Sequence, residues 1–180
     1  MRPKRAAERD IVLYSEKDIA RRVKAIAADI AAGALRPEIA VPVLTGAFVF
    51  AADLLRSLAR EGIDLPTEFI WLRAYGANET PGDVAVLKAP GEIVRRRTVL
   101  LIDGVLDSGA TLARAKELLE EVGVAAILSA VAVAKPHPAP QAKADHIGFE
   151  SGPDFIFGYG MDRAGYGRGL PDIRVRRKGA

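Results

Sequence analysis

The chain has no cysteine, so neither a disulfide framework nor a thiolate metal site is available to it, and it suits a reducing compartment. Its apolar runs fall far short of the ~18 residues that a membrane span needs. No basic segment followed by an apolar stretch opens the chain as a secretory signal would, so the expected setting is soluble and cytoplasmic. Neither the glycine spacing of a dinucleotide-binding turn nor that of a P-loop occurs. Aromatics make up only 6% of the residues. None lies within the basic ends "MRPKRAAER" and "RVRRKGA", where single-stranded nucleic acid would need stacking platforms. Solvated termini account for those charges better than nucleic-acid binding does.

What is present has the balance of an ordinary globular protein: 180 residues, 49% hydrophobic, 27% charged, net charge +3. That length suits one α/β domain with a sizeable core. The expectation is a single domain over 1–180, with residues 1–10 and 175–180 as flexible tails. Ser15-Glu-Lys-Asp18 resembles a capping box, and Ile19, Val23, Ile26, Ala27 and Ile30 follow at helical spacing up to Gly33. "AVPVLTG" (40–46) reads as a short buried strand ending at a glycine turn, with Pro42 costing it a ladder donor. Phe48, Ala51, Leu54, Leu55 and Leu58 then describe an amphipathic helix. "EFIWLRAY" (68–75) and "DVAVLK" (83–88) flank the polar, turn-rich "GANETPG" (76–82), which predicts a β-ribbon with a flexible tip. "VAAILSAVAVA" (124–134) is a continuous apolar run of the buried parallel-strand type. Short strands follow in "HIGF" and "FIFGYG". Strands alternating with helices predict a doubly wound, mostly parallel sheet flanked by helices.

The most informative stretch is "TVLLIDGVLDSGATLARAKELLEEVG" (98–123). A strand over 98–102 leads through a small-residue turn into a helix with Leu112, Ala115, Leu118, Leu119 and Val122 on one face. In open α/β sheets ligands bind beyond the carboxyl ends of strands, so Asp103 and Asp107 are expected to line that crevice. Ser108, Gly109, Ala110 and Thr111 offer backbone N–H groups and two hydroxyls at a helix N-terminus, where a phosphate monoester is well received. Taken alone, Asp107 could equally be a helix cap, and Lys135 a solvated strand-end lysine.

"VLLIDGVLDSGATL" resembles the phosphoribosyl-pyrophosphate (PRPP) motif of the phosphoribosyltransferases. "VPVLTGAFVFAADL", "AYG…DVAVLK", "VAVAKP" and "IGFESGPDFIFGYGMDRAGYGRGLPDI" are similar, in order and spacing, to segments of the hypoxanthine-guanine branch of that family. The resemblance spans roughly residues 10 to 175. It implies a type I phosphoribosyltransferase fold with a β-ribbon flap, and purine salvage. PRPP and a 6-oxopurine (hypoxanthine or guanine, with xanthine a further candidate) would give the nucleoside monophosphate and pyrophosphate, with Mg²⁺ as cofactor, in a homodimer or homotetramer. It assigns Asp107 as the catalytic base near the purine N7. Asp103 and Gly104 fall at the ribose, and Ser108, Gly109, Ala110 and Thr111 at the 5′-phosphate. Thr45, Gly46 and Arg168 fall at pyrophosphate, with an unusual peptide conformation in the Gly46 loop. Lys135 is assigned to the 6-oxo group, Phe155 to stacking on the purine and Ile156 to its edge. Asp162 is placed at the base and, with Asp103, at the metal. Ala74 and Tyr75 belong to the flap.

Two departures stand out. The family carries adjacent acidic residues where this chain has Asp103-Gly104, and a Lys or Arg where it has Thr45. They keep a second reading open: a catalytically weakened phosphoribosyltransferase fold that senses a nucleotide, or a transferase for a different base.

Overall fold

In the computed structural model of the chain, residues 9–74 and 84–177 are described. The elements run β1 (Arg9–Tyr14), α1 (Glu16–Ala32), β2 (Ile39–Leu44), α2 (Phe48–Arg60), β3 (Ile70–Ala74), β4 (Val84–Lys88), β5 (Thr98–Leu106), α3 (Ala110–Val122), β6 (Ala126–Ala134), β7 (His146–Glu150), β8 (Ile156–Phe157) and β9 (Ile173–Arg177). Six strands form one sheet in the order β4-β3-β2-β5-β6-β7, parallel throughout except for the β3–β4 ribbon. The predicted doubly wound sheet and ribbon are therefore observed, while the ribbon's tip, 75–83, lies outside the described residues.

Alternation along β5 divides the core. Leu100 and Ile102 pack with α1 and α2 on one face, and Val99 and Leu101 with α3 on the other. Helix α1 starts where the sequence signals it: the Ser15 side chain accepts from the Asp18 amide, and Asp18 reciprocates to the Ser15 amide. The five apolar residues at helical spacing are its buried residues. In α2 the expected face is shifted. Phe50, Ala51, Leu54 and Leu58 are buried, Phe48 is exposed and Leu55 only half-buried. Counting back in fours from Leu58 and Leu54 reaches Phe50, whereas Phe48 occupies the first, outward-turned position. Pro42 is accommodated because its missing donor faces a gap in the ladder. Ala40 turns its amide and carbonyl toward the chain leading into β3, Pro42 turns the same way, and regular β2–β3 pairing resumes only at Val43.

Two expectations need correcting. The strand predicted over 98–102 continues to Leu106, because β6 supplies a partner along the whole length, from Thr98↔Ala126 to Leu106↔Ala134. Asp103 and Gly104 thus lie within β5 rather than beyond it. The expected tails are also shorter. Arg9–Asp10 and Val175–Arg177 are paired in β1 and β9, which with β8 form a second sheet in the order β1-β9-β8. Ile173 and Val175 reach the main core from β9, and Asp10 pairs with Arg163 and Arg176. Arg174 and Arg176, part of the charge that suggests a solvated tail, alternate with Ile173 and Val175 along β9 and pair with Asp172 and Asp10. Residues 1–8 and 178–180 lie outside the described residues.

Candidate active site

The carboxyl ends of β2, β5 and β6 emerge along one edge of the main sheet, and the chain reverses direction of travel across the sheet between β2 and β5, the place where open α/β sheets bind ligands. There the segment between β7 and β9 folds over the edge. A cavity of about 450 Å³ is lined from below by Gly46, Asp103, Gly104, Val105, Asp107 and Lys135, and from above by Phe155, Ile156, Met161, Asp162 and Arg168. A smaller cavity of about 160 Å³ adjoins it, lined by residues 105–112.

Register explains how residues 28 positions apart meet. Leu106 pairs with Ala134, and the Lys135 amide donates to the Leu106 carbonyl. Asp107 and Lys135 therefore leave their strands side by side, and Lys135 Nζ lies 2.9 Å from Asp107 Oδ2. The N-cap of α3 is Gly109 and no side-chain cap bond is made there, so Asp107 is not a helix cap. The pairing removes Lys135 from the ordinary solvated class, since its side chain is only 13% exposed. The first turn of α3 receives one long contact, from the Ala110 amide to Ser108 Oγ at 3.4 Å. The first amides of a helix find no partner inside it, and here they border the smaller cavity. Gly109 has φ 82°, a conformation that favours glycine. A side chain there would also strike residues 141–142, since a Cβ would come within 2.7 Å of the Ala142 amide nitrogen. The phosphate-type turn is thus braced by the loop after β6.

Asp103 is buried within β5, with Oδ1 accepting from the Gly104 amide at 2.7 Å. Burial pushes its carboxyl up to about 6, with that hydrogen bond pulling the other way. Asp162 and Arg168 meet at 2.6 Å, and Asp162 also accepts from the Gly165 amide. Phe155 is 53% exposed at the cavity wall, not the core residue its chemistry alone would suggest. Ile156 is buried in β8. The peptide between Leu44 and Thr45 is cis, directly ahead of Gly46, so the loop does hold an unusual peptide. Thr45 itself is exposed and outside the cavity lining. Ala74 pairs through its backbone with Val84 at the end of the ribbon, and Tyr75 lies outside the described residues.

Three contributors carry no individual sequence signal. Met161 lines the cavity; Gly160 and Tyr159 hold the covering segment in place. Tyr159 is buried and donates to Asp53 of α2 at 2.7 Å. Burial, reinforced by that carboxylate, holds its phenol far above the ordinary range.

The phosphoribosyl transferase domain family matches residues 12–163. The chain is 32% identical over 166 residues to the hypoxanthine-guanine phosphoribosyltransferase of Aquifex aeolicus, covering 90% of this chain and 92% of that protein. It is 33% identical over 167 residues to that of Bacillus subtilis, covering 91% of each. The chain belongs to the hypoxanthine-guanine phosphoribosyltransferase family. Members of the family also share its fold. The hypoxanthine phosphoribosyltransferase of Trypanosoma cruzi, solved with its product IMP, superposes with a TM-score of 0.82 at 28% identity, covering 98% of this chain and 97% of that one. That of Staphylococcus aureus gives a TM-score of 0.83 at 27% identity, covering 93% and 91%.

Proposed function

We propose that this chain transfers the phosphoribosyl group of PRPP to hypoxanthine or guanine, giving IMP or GMP and pyrophosphate. The observation that carries the reading is the Lys135–Asp107 pair at the floor of the larger cavity, beside the turn that frames the smaller one. A 6-oxopurine offers a carbonyl oxygen and an N7 proton site on one edge, and an ammonium and a carboxylate held together present the matching donor and acceptor. Lys135 donates to the 6-oxo group and Asp107 accepts the proton at N7, as general acid–base chemistry requires. Phe155 stacks on the ring, the Ile156 backbone meets its edge, and the amides and hydroxyls of Ser108–Thr111 hold the 5′-phosphate. Departure of pyrophosphate leaves positive charge on the ribose, so aligning sugar with base and stabilising the leaving anion is the main work of the site. Arg168 and the Gly46 loop take the second task.

Asp103 and Asp162 both face this cavity, and among the described residues no group of three or more His, Cys, Asp or Glu could hold a metal. Such a donor set suits a Mg²⁺ carried in on the substrate's phosphates rather than one caged by protein. Bound there, Mg²⁺ would neutralise charge on the leaving group. The chain would act as one domain in a homodimer or homotetramer within the cytoplasm.

The alternative, a weakened transferase that senses nucleotide, is favoured by Gly104 and by Thr45 standing outside the cavity. An absorbance assay with PRPP, Mg²⁺ and each of hypoxanthine, guanine, xanthine and adenine decides. Turnover with the 6-oxopurines, lost roughly 10²–10⁴-fold in Asp107→Asn, is the expected result. Calorimetric IMP binding with no turnover on any base would favour the sensor, and turnover with adenine alone would favour the different-base reading.

A further inference from the structure

The carbonyl oxygen of Gly46 is enclosed by two glycines from distant parts of the chain. A Cβ on Gly104 would stand 2.8 Å from that oxygen, 3.0 Å from its carbonyl carbon and 3.5 Å from the Ala47 amide nitrogen. A Cβ on Gly160 would stand 2.7 Å from the same oxygen. Both positions are closed to any side chain while the loop stays where it is.

The two glycines are there for different reasons. Gly160 has φ 93°, so its own backbone already favours glycine. Gly104 lies inside β5 without a positive φ. The demand for glycine at 104 comes from the approach of the Gly46 loop alone. Alternation along β5 turns residue 104 to the same face as Leu100 and Ile102, the face from which α2 and the loop preceding it descend. The opposite side of the clamp is itself secured. The Gly160 amide donates to the Arg168 carbonyl, Arg168 donates back to the Gly160 carbonyl at 2.8 Å, and Tyr159 reaches Asp53 of α2.

We propose that Gly104 is a positioning residue that seats the Gly46 loop against β5, so that this chain exchanges a ribose-facing carboxylate at 104 for a fixed wall on the pyrophosphate side. The proposal rests on reading that loop as the pyrophosphate contact. It means the absent carboxylate cannot be restored by substitution alone, because the space of its Cβ is filled by backbone that has no flexible end to yield.

The test measures KM for PRPP, for hypoxanthine and, in the reverse direction from IMP, for pyrophosphate, together with kcat, in the unaltered protein, Gly104→Ala and Gly104→Asp. Both variants are expected to raise KM for PRPP and pyrophosphate by roughly tenfold, the scale of overpacking a filled site, with KM for hypoxanthine unchanged. Gly104→Asp is expected to do no better than Gly104→Ala. A Gly104→Asp variant that binds PRPP more tightly than the unaltered protein, or a silent Gly104→Ala, would overturn the proposal. The Ala47 and Phe48 amides donate to the Val43 and Thr45 carbonyls of the same segment, so their hydrogen exchange is compared between the unaltered protein and Gly104→Ala, with the β5 amides as the control for folding. Faster exchange at 47 and 48 with β5 unchanged is the expected result, and unchanged exchange at all of them overturns the proposal. That readout also separates the two claims, since loop amides that respond in this way in a chain with no turnover refute the transferase reading and leave the loop contact standing.

Discussion

Replacing Asp103 by Asn should stabilise the protein at neutral pH while weakening its grip on PRPP. The carboxyl of Asp103 is buried and raised to about 6 from an ordinary value of 3.8. The native state therefore holds its proton more tightly than the unfolded chain does. That contribution is fully present below the unfolded value, declines as pH rises through about 6, and is gone above it. Two pH units correspond to about 3 kcal/mol. Asparagine removes the ionisation while its oxygen can still accept from the Gly104 amide. After allowance for a weaker, neutral acceptor, Asp103→Asn should gain about 2 kcal/mol at pH 8. For a chain of this length that corresponds to a rise in Tm of roughly 4–8 °C. At pH 4, where the native carboxyl is already protonated, the two proteins should melt together. Thermal melts of both proteins between pH 4 and 8 test the stability half. The functional half follows if the ionised carboxylate meets the ribose: kcat/KM for PRPP should climb through pH 6 in the unaltered protein, and that rise should be absent from the variant. A Tm difference independent of pH, or a variant less stable at pH 8, would refute the claim that burial leaves this carboxylate's charge uncompensated.

Lys135→Met should cost about 2–3 kcal/mol of transition-state binding for hypoxanthine, because it removes a charged donor and leaves Asp107 unpaired. The loss should fall on KM for the base rather than on PRPP, and steady-state kinetics with each substrate varied in turn will show it. Phe155→Ala should raise KM for the purine by roughly tenfold, the worth of one stacked ring. Because Phe155 is 53% exposed, Tm should stay within about 2 °C, and a large drop in Tm would return that ring to the core.

The parts of the fold that local chemistry decides could be read directly from the sequence. The cap at Ser15 and the helical spacing of α1's five apolar residues depend on neighbours within a few residues, and so does the positive φ that asks for glycine at 109, even though the loop after β6 braces that turn. What depends on a remote partner could not be read this way. Asp-Gly at 103–104 looks like a strand end, and only β6 alongside keeps it extended. Val175 to Arg177 look like part of a tail until β1 lies against them. The pairing of Asp107 with Lys135 follows from the β5–β6 register, which no periodicity within either strand reports, so the sequence assigned their roles only through the family resemblance. The cavity then brought together most of the residues so assigned. Thr45 stood aside, and Met161 had no feature to distinguish it from core.

The small sheet gives the molecule an order of completion. Its middle strand, β9, follows every strand of the main sheet along the chain, and its outer strand, β1, precedes them all, while β8 brings Phe155 to the cavity. A nascent chain can assemble the strands that frame the phosphate turn as soon as β6 has left the ribosome. The wall that carries Phe155 waits until β9 emerges and draws β1 and β8 to either side. The turn after β5 is thus framed before its cover is complete, and loss of β9 would both unmoor β8 and take Ile173 and Val175 out of the main core.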